Sequence, residues 1–132
     1  MISQDIIDKA IQRLVKAYQP LEIYMYGAYA WGTPGEEDTV NLLIVVESSN
    51  QKIQQRSYKG YEMLLDIEMP KSISVFTKQE FDSFVHDKSS ATHEIKTKGK
   101  LLYAPAYAQV ASDYAKASTD RSADKQDLKI GY

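Results

Sequence analysis

Residues 25–46 read MYGAYAWGTPGEEDTVNLLIVV. The stretch opens at the end of a run, residues 21–26, that is rich in β-branched and aromatic side chains and stops at Gly27, the pattern of a strand meeting a tight turn. Residues 33–38 form a second break, punctuated by Pro34 and Gly35. Residues 40–46 are then almost continuously apolar. A strand that does not alternate is buried on both faces, so the run implies a sheet covered by helices on each side.

Working outward, residues 3–18 carry the clearest helical stripe: Ile6, Ile7, Ala10, Ile11, Leu14, Val15 and Tyr18. Ser3 fits the N-cap, Asp5 suits the positive helix end, and Pro20 marks the stop. Residues 51–67 read as another helix, with Ile53, Tyr58, Tyr61, Leu64 and Leu65 as its inward side. Gly60 weakens that helix by about 1 kcal/mol relative to alanine. Residues 72–76 read as a third strand. Thr77 and Glu80 make a capping-box pattern that opens a helix carrying Phe81, Phe84 and Val85. A short helix over 91–98, stopped by Gly99, and a last strand over 101–103 follow.

After Pro105 the composition changes. Residues 106–117 suggest a helix with a weak stripe of Tyr107, Val110, Ala111 and Tyr114, and residues 118–129 have the polar composition of a mobile tail. The organisation expected is one domain over 1–104 and a C-terminal helix and tail over 105–132. The bulk figures agree: 132 residues suit one domain with a sizeable core. A net charge of −2 supplies no global basic field, which argues against nucleic acid as a partner. Without cysteine there are no disulfides, thiolate metal sites or cysteine nucleophiles. The longest apolar run is too short to span a bilayer, and residues 1–5 do not begin like a signal peptide. A cytoplasmic protein with no membrane partner is the expectation.

The quoted stretch resembles the signature of the minimal nucleotidyltransferases, relatives of polymerase beta. In that family a strand ends in Gly-Ser, a short helix with a second glycine follows, and a second strand carries Asp-x-Asp and then apolar residues. Gly27 falls on the motif glycine, Gly32 on the second glycine, and residues 42–46 on the apolar run, without a gap. The family's later elements, including a Thr/Ser-capped helix and a final strand ending in Leu-Tyr, match residues 51–103 in order, with Thr77 as the cap and Leu102-Tyr103 as the end. The resemblance therefore covers about residues 1–103, and it implies an α/β (α+β) fold with a mixed β-sheet flanked by helices in the nucleotidyltransferase arrangement.

The departures bear on function. Ala28 stands where the family has serine. The two aspartates of Asp-x-Asp fall on Thr39 and Asn41, and the third-strand aspartate on Ser72. In the family these carboxylates hold two divalent metals that clamp the triphosphate and activate the attacking hydroxyl. Such hard cations need anionic oxygen ligands. A unit charge pair at about 4 Å in an effective dielectric near 20 is worth roughly 4 kcal/mol gross, and a divalent ion doubles it. Replacing three carboxylates by neutral groups should therefore abolish tight metal binding and leave no catalytic residues and no cofactor. Asp38 is the nearest carboxylate, but adjacent strand residues point to opposite faces, so it should aim away from Thr39 and Asn41. Asp66 and Glu68 are expected on a solvated helix end.

Four aromatics, Tyr24, Tyr26, Tyr29 and Trp31, surround the motif. They suit cleft filling, a partner contact, or stacking on a base. His86 and His93 fit no metal motif and are expected at surface or capping positions. Lys96, Lys98 and Lys100 are expected to offset a helix dipole, and residues 36–38 to form a solvated acidic loop. Two functions are expected from these residues and the resemblance. The first is a catalytically inactive relative acting in binding or regulation. It would contact a nucleotide weakly without metal through Gly27, Ala28, Gly32 and Asn41, or serve a protein partner. The resemblance implies the helical companion of a bacterial toxin–antitoxin module as that partner; a homodimer is the other option. The second is a divergent transferase, Mg²⁺-dependent, that moves a nucleotide from an NTP onto a protein, an RNA such as tRNA, or a small molecule.

Overall fold

A computed structural model describes residues 2–35 and 38–105. Helix α1, Gln4–Tyr18, is capped as its sequence dictates: the Ser3 side chain accepts from the backbone N–H of Ile6. Its buried residues are Ile7, Ala10, Ile11 and Leu14. Strand β1, Glu22–Tyr26, leads through Gly27 into the one-turn helix α2, Ala28–Trp31. Strand β2 spans Val40–Val46, helix α3 Ser57–Met63, strand β3 Lys71–Thr77, helix α4 Lys78–Val85, helix α5 Ala91–Lys98 and strand β4 Lys100–Tyr103.

The four strands form one mixed sheet in the order β3-β2-β1-β4. β1 is antiparallel to both β2 and β4, and β2 is parallel to β3. The continuous apolar run of β2 lies at the centre, and Leu42, Leu43, Ile44 and Val45 are all buried. Alternate residues serve two cores. Ile23, Met25, Leu42, Ile44, Ile73 and Val75 pack with α1 and with Leu64. Tyr24, Leu43 and Val45 pack with Phe81 of α4 and Ile95 of α5. The expected mixed sheet flanked by helices is the architecture found. Thr77 and Glu80 form the expected capping box at the start of α4. No helix among the described residues is long and apolar enough to cross a membrane.

The long helix expected over 51–67 is absent as such. In its place stand a 3₁₀ turn, Ile53–Gln55, and the short α3. Two arginines explain both ends. Arg56 Nε donates to Gln51 O, so the Gln55 N–H bonds Lys52 O instead of the carbonyl an α-helix would use. Arg13 Nη1 donates to Met63 O, and Ile67 N–H bonds Leu64 O instead. The segment is therefore turned over locally, and Tyr58 and Leu65, expected inward, are 65% and 79% exposed. Ile53 and Phe84 are also exposed rather than buried. The helix and tail expected beyond residue 105, and the Glu36-Glu37 part of the acidic loop, lie outside the described residues.

Candidate functional site

The site grows from the end of β1. Gly27 has φ 86° and ψ −156°, a region that only glycine enters without strain. A Cβ there would stand 2.5 Å from Asn41 Nδ2. Asn41 in turn donates to Tyr26 O at 3.3 Å. The glycine thus reverses the chain and makes room for the asparagine. Behind it, Gly32 ends α2, its N–H bonding Ala28 O at 3.0 Å. Ala28 opens α2 with a methyl group where the resemblance implies a hydroxyl.

The register places Tyr26 opposite Asn41, and Asn41 opposite Ser72. The three make one row across β1, β2 and β3, on the sheet face that carries Tyr24 and Leu43. Thr39 lies two residues before Asn41, just ahead of the start of β2. The structure therefore sets side by side two of the positions where the resemblance places carboxylates, Asn41 and Ser72, and every side chain in that row is neutral.

Tyr26 does something the sequence reading did not foresee. Burial raises the pKa of its phenol, and Ser74 on β3 partly offsets that rise. The alternation of Ser72 and Ser74 in the third strand was the available signal, since it puts two hydroxyls on one face. Of the other aromatics, Tyr24 stacks on Phe81 with ring centroids 5.5 Å apart. Tyr29 packs toward the α1-side core, and its hydroxyl accepts from Ile2 N–H at 3.0 Å. Trp31 is exposed.

The carboxylates that could have rescued a metal centre do not gather here. Asp38 accepts from Gly35 N–H at 2.7 Å, closing its own turn. Asp66 is bound by Arg13 through both guanidinium nitrogens, which holds its carboxyl below the usual range. Glu68 is exposed. Among the described residues no three His, Asp or Glu side chains are grouped to hold a metal ion. The donor set of Thr39, Asn41 and Ser72 does not fit the two divalent ions that the resemblance implies, because it offers oxygen without charge. His93 serves the α4–α5 connection, its ring Nδ1 lying 3.1 Å from Val85 O, and His86 is exposed at the end of α4. Lys98 pairs with Glu94 at 3.6 Å along α5, and Lys96 lies over the Phe81 ring.

No family model matches the chain. No curated protein sequence matches it either. Among solved structures, the fold is similar to that of a candidate nucleotidyltransferase from Sulfolobus solfataricus. The TM-score is 0.54 at 15% identity, over 76% of this chain and 78% of that one. At that identity the likeness is one of fold, and the chain has a nucleotidyltransferase-like fold.

Proposed function

We propose that the protein is a non-catalytic relative of the nucleotidyltransferases that acts by binding. The observation that carries this reading is the neutral row Tyr26, Asn41 and Ser72, with Thr39 beside it, at the place where the fold's chemistry would need carboxylates. The partner is a protein: the helical companion of a toxin–antitoxin module, or a second copy of the chain. Any nucleotide is held weakly and without metal at Gly27, Ala28, Gly32 and Asn41, around the glycine turn that ends β1. The protein works in the cytoplasm.

The fold neighbour's description favours a second reading, a divergent Mg²⁺-dependent transferase acting from an NTP on a protein, RNA or small molecule. One titration separates the two. Isotope-labelled protein is followed by NMR as ATP is added, with and without magnesium. Saturable shifts at Gly27, Ala28 and Asn41 that require magnesium would establish the transferase reading. Shifts that ignore magnesium support a metal-free nucleotide contact, and no shifts leave the protein partner, to be sought by pull-down.

A further inference from the structure

The sheet face that carries the row extends along β3. By strand alternation Ser72, Ser74 and Phe76 lie on one face of that strand, beside Asn41 of β2 and Tyr26 of β1. Tyr26 and Phe76 both pack against the core under α4 and α5. All five side chains are half-buried, so the face is sheltered and still reachable from solvent. Ser72 and Phe76 are four residues apart, about 13 Å along a strand, which is room for a nucleoside. At the far end the Phe76 ring meets Phe84 edge to face, with centroids 5.3 Å apart.

The charges around this face are already engaged. The described residues of β1, α2, β2, β3 and α4 include two cations, Lys71 and Lys78. Lys71 stands one position before Ser72, and its Nζ donates to Ile67 O and Met69 O, both at 3.3 Å. Lys78 Nζ is held by Asp82 at 2.7 Å. The nearby carboxylates are committed too: Glu80 meets Arg56, and Asp38 accepts from Gly35 N–H. Glu22 is buried at the opposite end of β1. A polyphosphate laid on this face would lose hydration without a cation to replace it. An uncharged ligand escapes that cost.

The neutral groups suit a base. Asn41 donates one N–H to Tyr26 O at 3.3 Å. A carboxamide has a second N–H and a carbonyl oxygen, the pair that reads the N6 and N7 edge of adenine. Each serine hydroxyl both donates and accepts, and aromatic rings give a base a surface to stack on.

We propose that this face is a site for an uncharged purine nucleoside, bound through the Asn41 amide and the β3 hydroxyls, and that phosphate groups add nothing to its binding. Such a site rests on the non-catalytic reading above and gives its cleft a ligand class.

The test titrates the isotope-labelled full chain, free of magnesium, with adenosine, ATP and inorganic phosphate in turn, followed by NMR. Adenosine should give saturable shifts at Asn41, Ser72 and Ser74, the Asn41 side-chain amide included. ATP should bind no tighter than adenosine, and inorganic phosphate should move none of these signals. Asn41→Ala should weaken adenosine binding by about threefold to tenfold. ATP that binds tighter than adenosine, or phosphate that shifts the row, overturns the proposal and leaves the non-catalytic reading in place. Adenosine that shifts none of the three residues, or that binds the Asn41→Ala protein as it binds the wild type, does the same. ATP binding that appears only when magnesium is restored overturns both.

Discussion

The cleft row ends on β3, and the row and the outer edge of that strand use polar residues in opposite ways. In the row, Tyr26, Asn41 and Ser72 are neutral, and the one amide contact between Asn41 and Tyr26 is long, at 3.3 Å. At the edge, Arg56 is buried and its guanidinium is heavily engaged. It meets Glu80 with two nitrogens at 2.6 and 3.1 Å, Val75 O at 3.3 Å and Gln51 O at 3.1 Å. Glu80 also accepts from Thr77 N–H, closing the capping box. Tyr61 adds its hydroxyl as acceptor for Ile73 N–H. The edge of a sheet is a template for unwanted pairing, and here side chains take up its free backbone groups. The lesson is that this chain places buried charge where it fixes the architecture, and none in the row.

That contrast breaks first at Arg56. Arg56→Ala leaves Glu80 and two backbone carbonyls without their donor, and should lower the unfolding free energy by about 3 kcal/mol, read from denaturant midpoints. Arg56→Lys keeps the charge but not the bidentate fork, and should recover only part of the loss. A cost for Arg56→Ala below about 1 kcal/mol would mean that the edge charges are no more structural than a surface pair.

The opposite manipulation adds charge to the cleft. The triple change Thr39→Asp, Asn41→Asp, Ser72→Asp places two carboxylates at the register pair Asn41–Ser72 and a third just ahead of β2. Without metal they repel, and the protein should melt at a lower temperature than the wild type. With Mn²⁺ at 100 times its dissociation constant the variant should gain about 2.7 kcal/mol, while the wild type is unmoved. A wild type that Mn²⁺ stabilises equally would show that the neutral row binds metal after all, and the contrast would fail.

Gly27 sharpens the same comparison on a smaller scale. Gly27→Ala must hold φ 86° and bring a methyl group against Asn41, and should cost about 1 to 3 kcal/mol. Adding Asn41→Ala relieves the contact but not the backbone. The double variant should therefore regain part of the stability, with a coupling of about 0.5 kcal/mol or more in a thermal-melt cycle. A purely additive pair would show that the turn and the asparagine are independent, and that the glycine is there for the backbone alone.

These residues also show what the sequence could and could not reveal. The apolar run of β2, the Ser3 cap and the Thr77–Glu80 box are local signals, and each element formed where its own residues called for it. The register that sets Ser72 against Asn41 follows once β2 and β3 are parallel and equally long. The misread segment was the 51–67 helix, and its cause is not local. Two arginines take carbonyls that a continuous helix would have used, one from α1 across fifty residues and one from the segment itself. No periodicity encodes a side chain that competes for a backbone acceptor. Glu22 was overlooked for a related reason: a glutamate opening a strand reads as solvated until α4 and α5 are laid over it.

The smallest effect separates two glutamates by sign. Arg56 beside Glu80 holds its carboxyl below the usual value, with burial pulling the other way. A depressed native pKa contributes stability that is present above the unfolded value, about 4.3, and is lost as pH falls through the native one. Glu22 is raised, so its contribution is full below about 4.3 and is lost as pH rises through its native value. In urea titrations across pH, Glu80→Gln should flatten the acid limb and Glu22→Gln the limb above it. The Glu80 change should stay under about 1 kcal/mol, since its side chain is 30% exposed and water screens the pair. Added salt should shrink the Glu80 effect more than the Glu22 effect, because a partly exposed charge pair dominates the former and burial the latter. Two Gln variants that flattened the same limb would show that Glu22 is solvated like Glu80.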